Sequence, residues 1–125
     1  MHSKLNTVIY GQENECKEAV SLLEKSTRNN DCSVLCTNNN DKLQQLLALR
    51  NTKLVIVLAD GADGMEAVYT VKRYEPNAMV FWFSNDVGFA MQSHRLECAY
   101  FSVKPLTEEK LSKAFYHCKY IGLQI

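Results

Sequence analysis

Lys53-Leu54-Val55-Ile56-Val57-Leu58-Ala59 decides the fold. The run is apolar without interruption and rich in β-branched residues. A strand with one wet face alternates apolar and polar side chains. A strand that does not alternate has both faces covered, the mark of a central strand in a parallel sheet. Ala78-Met79-Val80-Phe81-Trp82-Phe83 repeats the pattern further along. Between the two runs, Asp60-Gly61-Ala62-Asp63-Gly64 reads as a loop by composition. Met65 to Tyr74 then reads as a helix stopped by Glu75-Pro76-Asn77.

The same alternation extends in both directions. Upstream, Leu5-Asn6-Thr7-Val8-Ile9-Tyr10 predicts a strand. Cys16, Ala19, Val20, Leu22 and Leu23 give the segment from Asn14 to Ser26 the spacing of a one-faced helix. Ser33 to Cys36 is a second strand, Asn38 to Asp41 supplies turn and N-cap residues, and Leu43, Leu46 and Leu47 mark a second helix. Downstream, Ser84-Asn85-Asp86 opens a loop and Gly88 to Leu96 predicts a helix. Cys98 to Val103 is the fifth strand and Lys104-Pro105-Leu106 a turn. A last helix opens at Thr107-Glu108-Glu109, with Leu111, Ala114, Phe115 and Cys118 on its apolar face. Five βα units with short connections predict an α/β fold, a doubly wound five-stranded parallel sheet with helices on both faces. A single domain is expected over 1–118, with 119–125 a tail or the start of a linker to a missing output domain.

Composition narrows the function. The 125 residues carry 14 Lys and Arg against 14 Asp and Glu, a formal net charge of zero. Gripping nucleic acid needs clustered cations, so no nucleic-acid contact by this domain is expected. Nor is there a basic run for an anionic membrane surface, or an apolar run of the ~20 residues that span a bilayer. The N-terminus shows no secretory pattern. Cys16, Cys32, Cys36, Cys98 and Cys118 make an odd count without such a signal, which predicts reduced thiols and a cytoplasmic location. Cys32 with Cys36, or His94 with Cys98, resembles half a zinc site. Cys32 and Cys36 share a strand face but lie ~13 Å apart along it, so small core residues are the simpler reading.

In sheets of this kind ligand chemistry sits at the carboxyl ends of the strands. The residues there are Gly11-Gln12-Glu13, Asp60, Ser84-Asn85 and Lys104. Asp60, Ser84 and Lys104 suit phosphoryl transfer. A carboxylate carries an acyl phosphate, an ammonium neutralises phosphoryl oxygens, and a hydroxyl hydrogen-bonds one of them. A divalent cation would be wanted too, with Glu13 and Asp60 as the candidate ligands. Each residue also has an ordinary reading: Asp60 as a turn residue, Ser84 as a cap, Lys104 as a solvated side chain. Three together at the ends of three strands are more specific than any one alone.

The motifs Leu54-Val55-Ile56-Val57-Leu58, Asp63-Gly64-Met65-Glu66, Phe81-Trp82-Phe83-Ser84 and, above all, the fifth strand running into Lys104-Pro105-Leu106 resemble those of response-regulator receiver domains. The resemblance covers the chain to residue 118 and implies the flavodoxin-like form of the (βα)5 fold. It further implies Mg²⁺ binding, a phosphoryl group taken from a histidine kinase, and no classical enzyme activity. Lys104 matches the family's lysine, Ser84 its hydroxyl residue, and Phe101 the aromatic switch position. The departures lie at the chemistry. Gly11-Gln12 stands where the family has an acidic pair. Leu58 falls where the phosphoacceptor belongs, and Asp60 lies two residues further on, ~6.6 Å along a strand axis. In-line attack tolerates far less displacement than that.

The resulting expectation is an atypical receiver with aspartyl phosphorylation weakened or lost. It would act by protein–protein interaction as the N-terminal part of a bacterial transcriptional regulator. The alternative is a functional receiver using Asp60 with Mg²⁺. The expected partners are a histidine kinase or other signalling protein. A second copy is also expected, docked through the fourth helix, fifth strand and fifth helix, with Phe89, Met91 or Leu96, and Tyr100 presented. Tyr100 alternates with Phe101, so one of the two should point away from the core, the equal alternative being that Tyr100 packs on a neighbouring helix. A flavodoxin-like nucleotide binder would need a phosphate loop after the first strand, where Gly11-Gln12-Glu13-Asn14-Glu15 is acidic instead. A phosphocysteine carrier would need its cysteine directly after that strand, whereas Cys16 falls inside the first helix.

Overall fold

The computed structural model describes residues 5–26, 32–49 and 51–120. Within them the elements run β1 (Leu5–Gly11), α1 (Glu13–Ser26), β2 (Cys32–Thr37), α2 (Asn40–Leu49), β3 (Leu54–Leu58), α3 (Gly61–Tyr74), β4 (Met79–Ser84), α4 (Ala90–Arg95), β5 (Tyr100–Val103) and α5 (Glu108–Tyr120). A 3₁₀ turn at Val87–Phe89 leads into α4. All strand pairs are parallel and their order is β2-β1-β3-β4-β5. This is the doubly wound arrangement that the alternating pattern predicts, in the flavodoxin-like strand order that the resemblance implies.

The sheet divides two cores. Ile9, Leu54, Ile56, Leu58, Phe81 and Phe83 face α1 and α5, meeting Ala19, Leu23, Leu111, Ala114 and Cys118. The alternate residues Val8, Tyr10, Val55, Val57, Val80 and Trp82 face the other layer, meeting Leu43, Leu46 and Leu47 of α2 and Ala67, Val68 and Val71 of α3. Every residue of β3 and β4 is buried, which is why their sequences do not alternate. Burying a large apolar side chain from each layer stabilises by ~1.5–3 kcal/mol relative to exposure.

Two differences from expectation stand out, besides a fifth strand that begins at Tyr100 rather than Cys98. The glycine-rich stretch Asp60–Gly64 is not a loop: α3 begins at Gly61, and Asp60 is its N-cap. The glycines serve the turn and the packing. Gly61 turns the chain at φ +54°. A Cβ on Gly64 would overlap the Ala59 carbonyl and stand 2.6 Å from Trp82 Nε1, whose N–H donates to Ala59 O at 2.9 Å. The helix expected from Gly88 to Leu96 is shorter, because Asp86 accepts from the Gly88 N–H at 2.8 Å and holds the 3₁₀ turn first. Among the described residues no helix is long and apolar enough to cross a membrane. Helix α5 is followed to Tyr120, and the rest of the expected tail at 119–125 lies outside the described residues.

Candidate functional site

The carboxyl ends of β3, β4 and β5 bring Asp60, Ser84, Asn85 and Lys104 to one edge of the sheet. Lys104 N donates to Ser84 O at 2.9 Å, extending the β4–β5 ladder by one rung, so the lysine leaves the sheet at a fixed place. Its ammonium lies 3.5 Å from Asp60 Oδ1 and 2.8 Å from Glu15 Oε2. Only 13% of the Lys104 side chain is exposed, so it is held by this pair rather than solvated. Glu15 belongs to the first turn of α1, where the helix dipole favours an acid.

Asp60 follows β3 by two residues yet reaches Lys104. The chain leaves the strand at Leu58 and turns through Ala59, so the offset is not spent along the strand axis. Its carboxylate makes no capping bond to α3. Instead Oδ1 accepts from the Asn85 backbone N–H at 2.7 Å and Oδ2 from Asn85 Nδ2 at 3.1 Å. Both oxygens are therefore engaged, one of them twice. Ser84 is fully buried, and its Oγ accepts from the Asp86 N–H at 3.1 Å, a local cap of the following turn.

Glu13, the other candidate cation ligand, turns outward and pairs with Lys17 at 3.4 Å, both exposed. Glu13 and Asp60 thus face different neighbours. Among the described residues, no group of three or more His, Cys, Asp or Glu is placed to hold a metal, the C-x3-C and His94–Cys98 pairs included. The residue that sequence reasoning missed is Glu15; its only signal is its place in the first turn of α1, on the side turned toward the strand ends.

Leu58 and Gly11 form a second feature of the site. They are direct partners across β1 and β3. A Cβ on Gly11 would lie 2.9 Å from Leu58 Cβ and 3.2 Å from Leu58 O. Leu58 is 3% exposed and belongs to the α1–α5 core. A residue with a Cβ at position 58 therefore leaves room only for glycine at position 11. Nearby, the Tyr10 hydroxyl donates to Asp63 Oδ1 at 2.9 Å. Burial, reinforced by that bond, pushes the phenol up to about 12.

Neither aromatic of β5 points away from the core. Phe101 stands edge-on to Trp82 with ring centres 5.4 Å apart, in the α2–α3 layer. Tyr100 lies in the opposite layer near Phe81, Phe83 and His117, at 6.4, 6.1 and 6.4 Å. In a sheet covered on both faces, alternation sends one ring to each layer instead of one inward and one outward. The apolar side chains exposed around α4, β5 and α5 are Val87, Met91, Val103 and Tyr116.

No family model and no curated protein matches the sequence. Solved structures do match over nearly the whole chain. A signal receiver domain of an HD domain-containing protein from Pseudomonas fluorescens superposes with a TM-score of 0.75 at 17% identity, covering 97% of both chains. A response regulator receiver domain from Clostridium thermocellum gives 0.74 at 19% identity over 95% of each. A LuxR-family DNA-binding response regulator from Staphylococcus aureus gives 0.71 at 19%, covering 90% of this chain and 96% of that one. The fold is that of response-regulator receiver domains.

Proposed function

We propose that this chain is an atypical receiver: a signalling module that keeps the receiver fold, has weak or no aspartyl phosphorylation, and works through protein contacts. One observation carries the reading. The Cβ of Leu58, which stands where the resemblance expects the phosphoacceptor, excludes any side chain from position 11, the first of the expected acidic pair. The Cβ at 58 crowds any acid out of position 11, so the first of the pair does not return by a single substitution there. Glu15 adds to this by holding the Lys104 ammonium at 2.8 Å, closer than Asp60 does.

The family's Mg²⁺ fits poorly here. A hard cation wants converging carboxylates. Of the residues after β1, Gly11 and Gln12 supply none and Glu13 pairs with Lys17. Between Glu15 and Asp60 the positive charge is already furnished by Lys104. The module would sit in the cytoplasm, respond to a histidine kinase or another signalling protein, and form the N-terminal part of a transcriptional regulator. The DNA-binding regulator from S. aureus supports that last context through shared fold. Without phosphorylation to control it, weak constitutive self-association through α4, β5 and α5 is part of the proposal.

A second reading has its own support: Asp60 Oδ1 lies 3.5 Å from the Lys104 ammonium, an arrangement suited to an acceptor at Asp60. Acetyl phosphate with Mg²⁺, followed by intact-mass spectrometry, separates the two. The expected spectrum is that of the unmodified chain. Stoichiometric mono-phosphorylation that vanishes in Asp60→Asn would establish the second reading in place of the first.

A further inference from the structure

We propose that Cys16 and Cys36 are a redox-active dithiol that closes to a disulfide by exchange with an oxidised low-molecular-weight disulfide. The placement follows from the fold. Cys36 lies opposite Ile9 in the β1–β2 register. Cys32 and Val34 pack on the α1 side of the sheet, so Cys36, two residues on, points to that same side. Cys16 sits on the buried face of α1, 5% exposed, its Sγ 3.4 Å from Gly11 O. Cys16 Sγ also lies 3.9 Å from the carbonyl of Ile9, the strand partner of Cys36. Both line one cleft, shared with Glu13, Lys17 and Val20. Twenty residues apart in sequence, they meet where the C-x3-C spacing of Cys32 and Cys36 cannot.

Their environments divide the roles. Cys36 is exposed, and the neighbouring Cys16 lowers its thiol to about 7. Cys16 moves the opposite way, first through its neighbour Cys36 and then because it is buried. Cys36 is thus the attacking thiolate and Cys16 the resolving thiol. The Cys36 thiolate attacks RSSR, forming Cys36–S–S–R and releasing RS⁻. Cys16 gives up its proton and attacks the Cys36 sulfur, expelling the second RS⁻. Two protein thiols lose two electrons and two protons, and the oxidant ends as two RSH.

The test is incubation of the native chain with oxidised glutathione, alkylation, and peptide mapping. A Cys16–Cys36 linked peptide is expected, with Cys32, Cys98 and Cys118 still alkylated. Cys16→Ser should accumulate Cys36 as the glutathione mixed disulfide. Cys36→Ser, an exposed position on an edge strand, should take up no glutathione at Cys16. In the reduced protein at pH 7, Cys36 should alkylate ~10-fold faster than the other thiols. A wild-type chain that stops at the mixed disulfide, links other cysteines, or does not oxidise at all overturns the proposal. The wild-type map decides even if the Cys16 variant fails to fold.

Discussion

At Gly11 the usual rule for a strand glycine reverses. Replacing such a glycine by alanine ordinarily stabilises by ~0.5–1 kcal/mol, because glycine loses more backbone freedom on folding. Here the added methyl would meet Leu58 Cβ at 2.9 Å, a backbone-anchored atom that cannot swing aside. Overpacking of this kind costs ~1–3 kcal/mol. Gly11→Ala should therefore lower the urea midpoint, and Gly11→Asp should lower it further. A midpoint raised by Gly11→Ala would show that the two strand ends do not compete for space. Asp60, Ser84 and Lys104 were legible in the sequence because strand ends are fixed by the apolar runs before them. The Gly11–Leu58 contact was not, since it depends on the register between two strands 47 positions apart. Glu15 was not either, because its reach to Lys104 depends on how α1 is rotated over the sheet.

Among the elements, β5 and the helices beside it show where the alternating pattern runs out. The buried strands and the apolar helix faces were readable, since each is a repeat of period 2 or 3.6. The start of α3 was not, because glycine used for close packing looks the same in sequence as glycine used in a loop. Of the two readings of Tyr100, packing on a neighbouring helix holds rather than surface presentation, because alternation fixes opposite sides, not which side is wet. This changes the residues that should carry self-association. Met91 and Tyr116 are 63% and 71% exposed, while Tyr100 packs between β4 and α5. Tyr100→Ala should destabilise the monomer by ~2–3 kcal/mol, as a partly buried aromatic truncation. Met91→Lys with Tyr116→Ser should leave stability within ~0.5 kcal/mol and abolish the concentration dependence of the sedimentation coefficient. A wild-type chain that stays monomeric at the highest attainable concentration would remove this face as a self-interface.

Over the whole molecule, two apolar layers around one sheet enclose groups that resist ionisation. Burial raises the Cys118 thiol from 9.0 to about 11 and the Cys98 thiol to about 12, the latter against the pull of Lys72. Tyr10 rises from 10.0 to about 12, first by burial and then by its bond to Asp63. All three hold their protons more tightly folded than unfolded. Their contribution to stability is therefore complete below the unfolded values of 9.0 and 10.0. It is lost as pH climbs toward the folded values of about 11 to 12. Cys36 acts in the opposite direction. Its value of about 7, against 9.0 unfolded, makes stability rise with pH across that interval. The alkaline limb is best isolated in a Cys36→Ser background under reducing conditions. There the urea midpoint should hold level from pH 7 to 9 and fall steadily above it. Tyr10→Phe should lower the neutral midpoint by ~1 kcal/mol for the lost hydrogen bond and make the alkaline fall shallower; Cys118→Ala should also make it shallower. A midpoint that stays level to pH 11 would mean that the enclosed thiols and phenol ionise as freely in the folded chain as in the unfolded one.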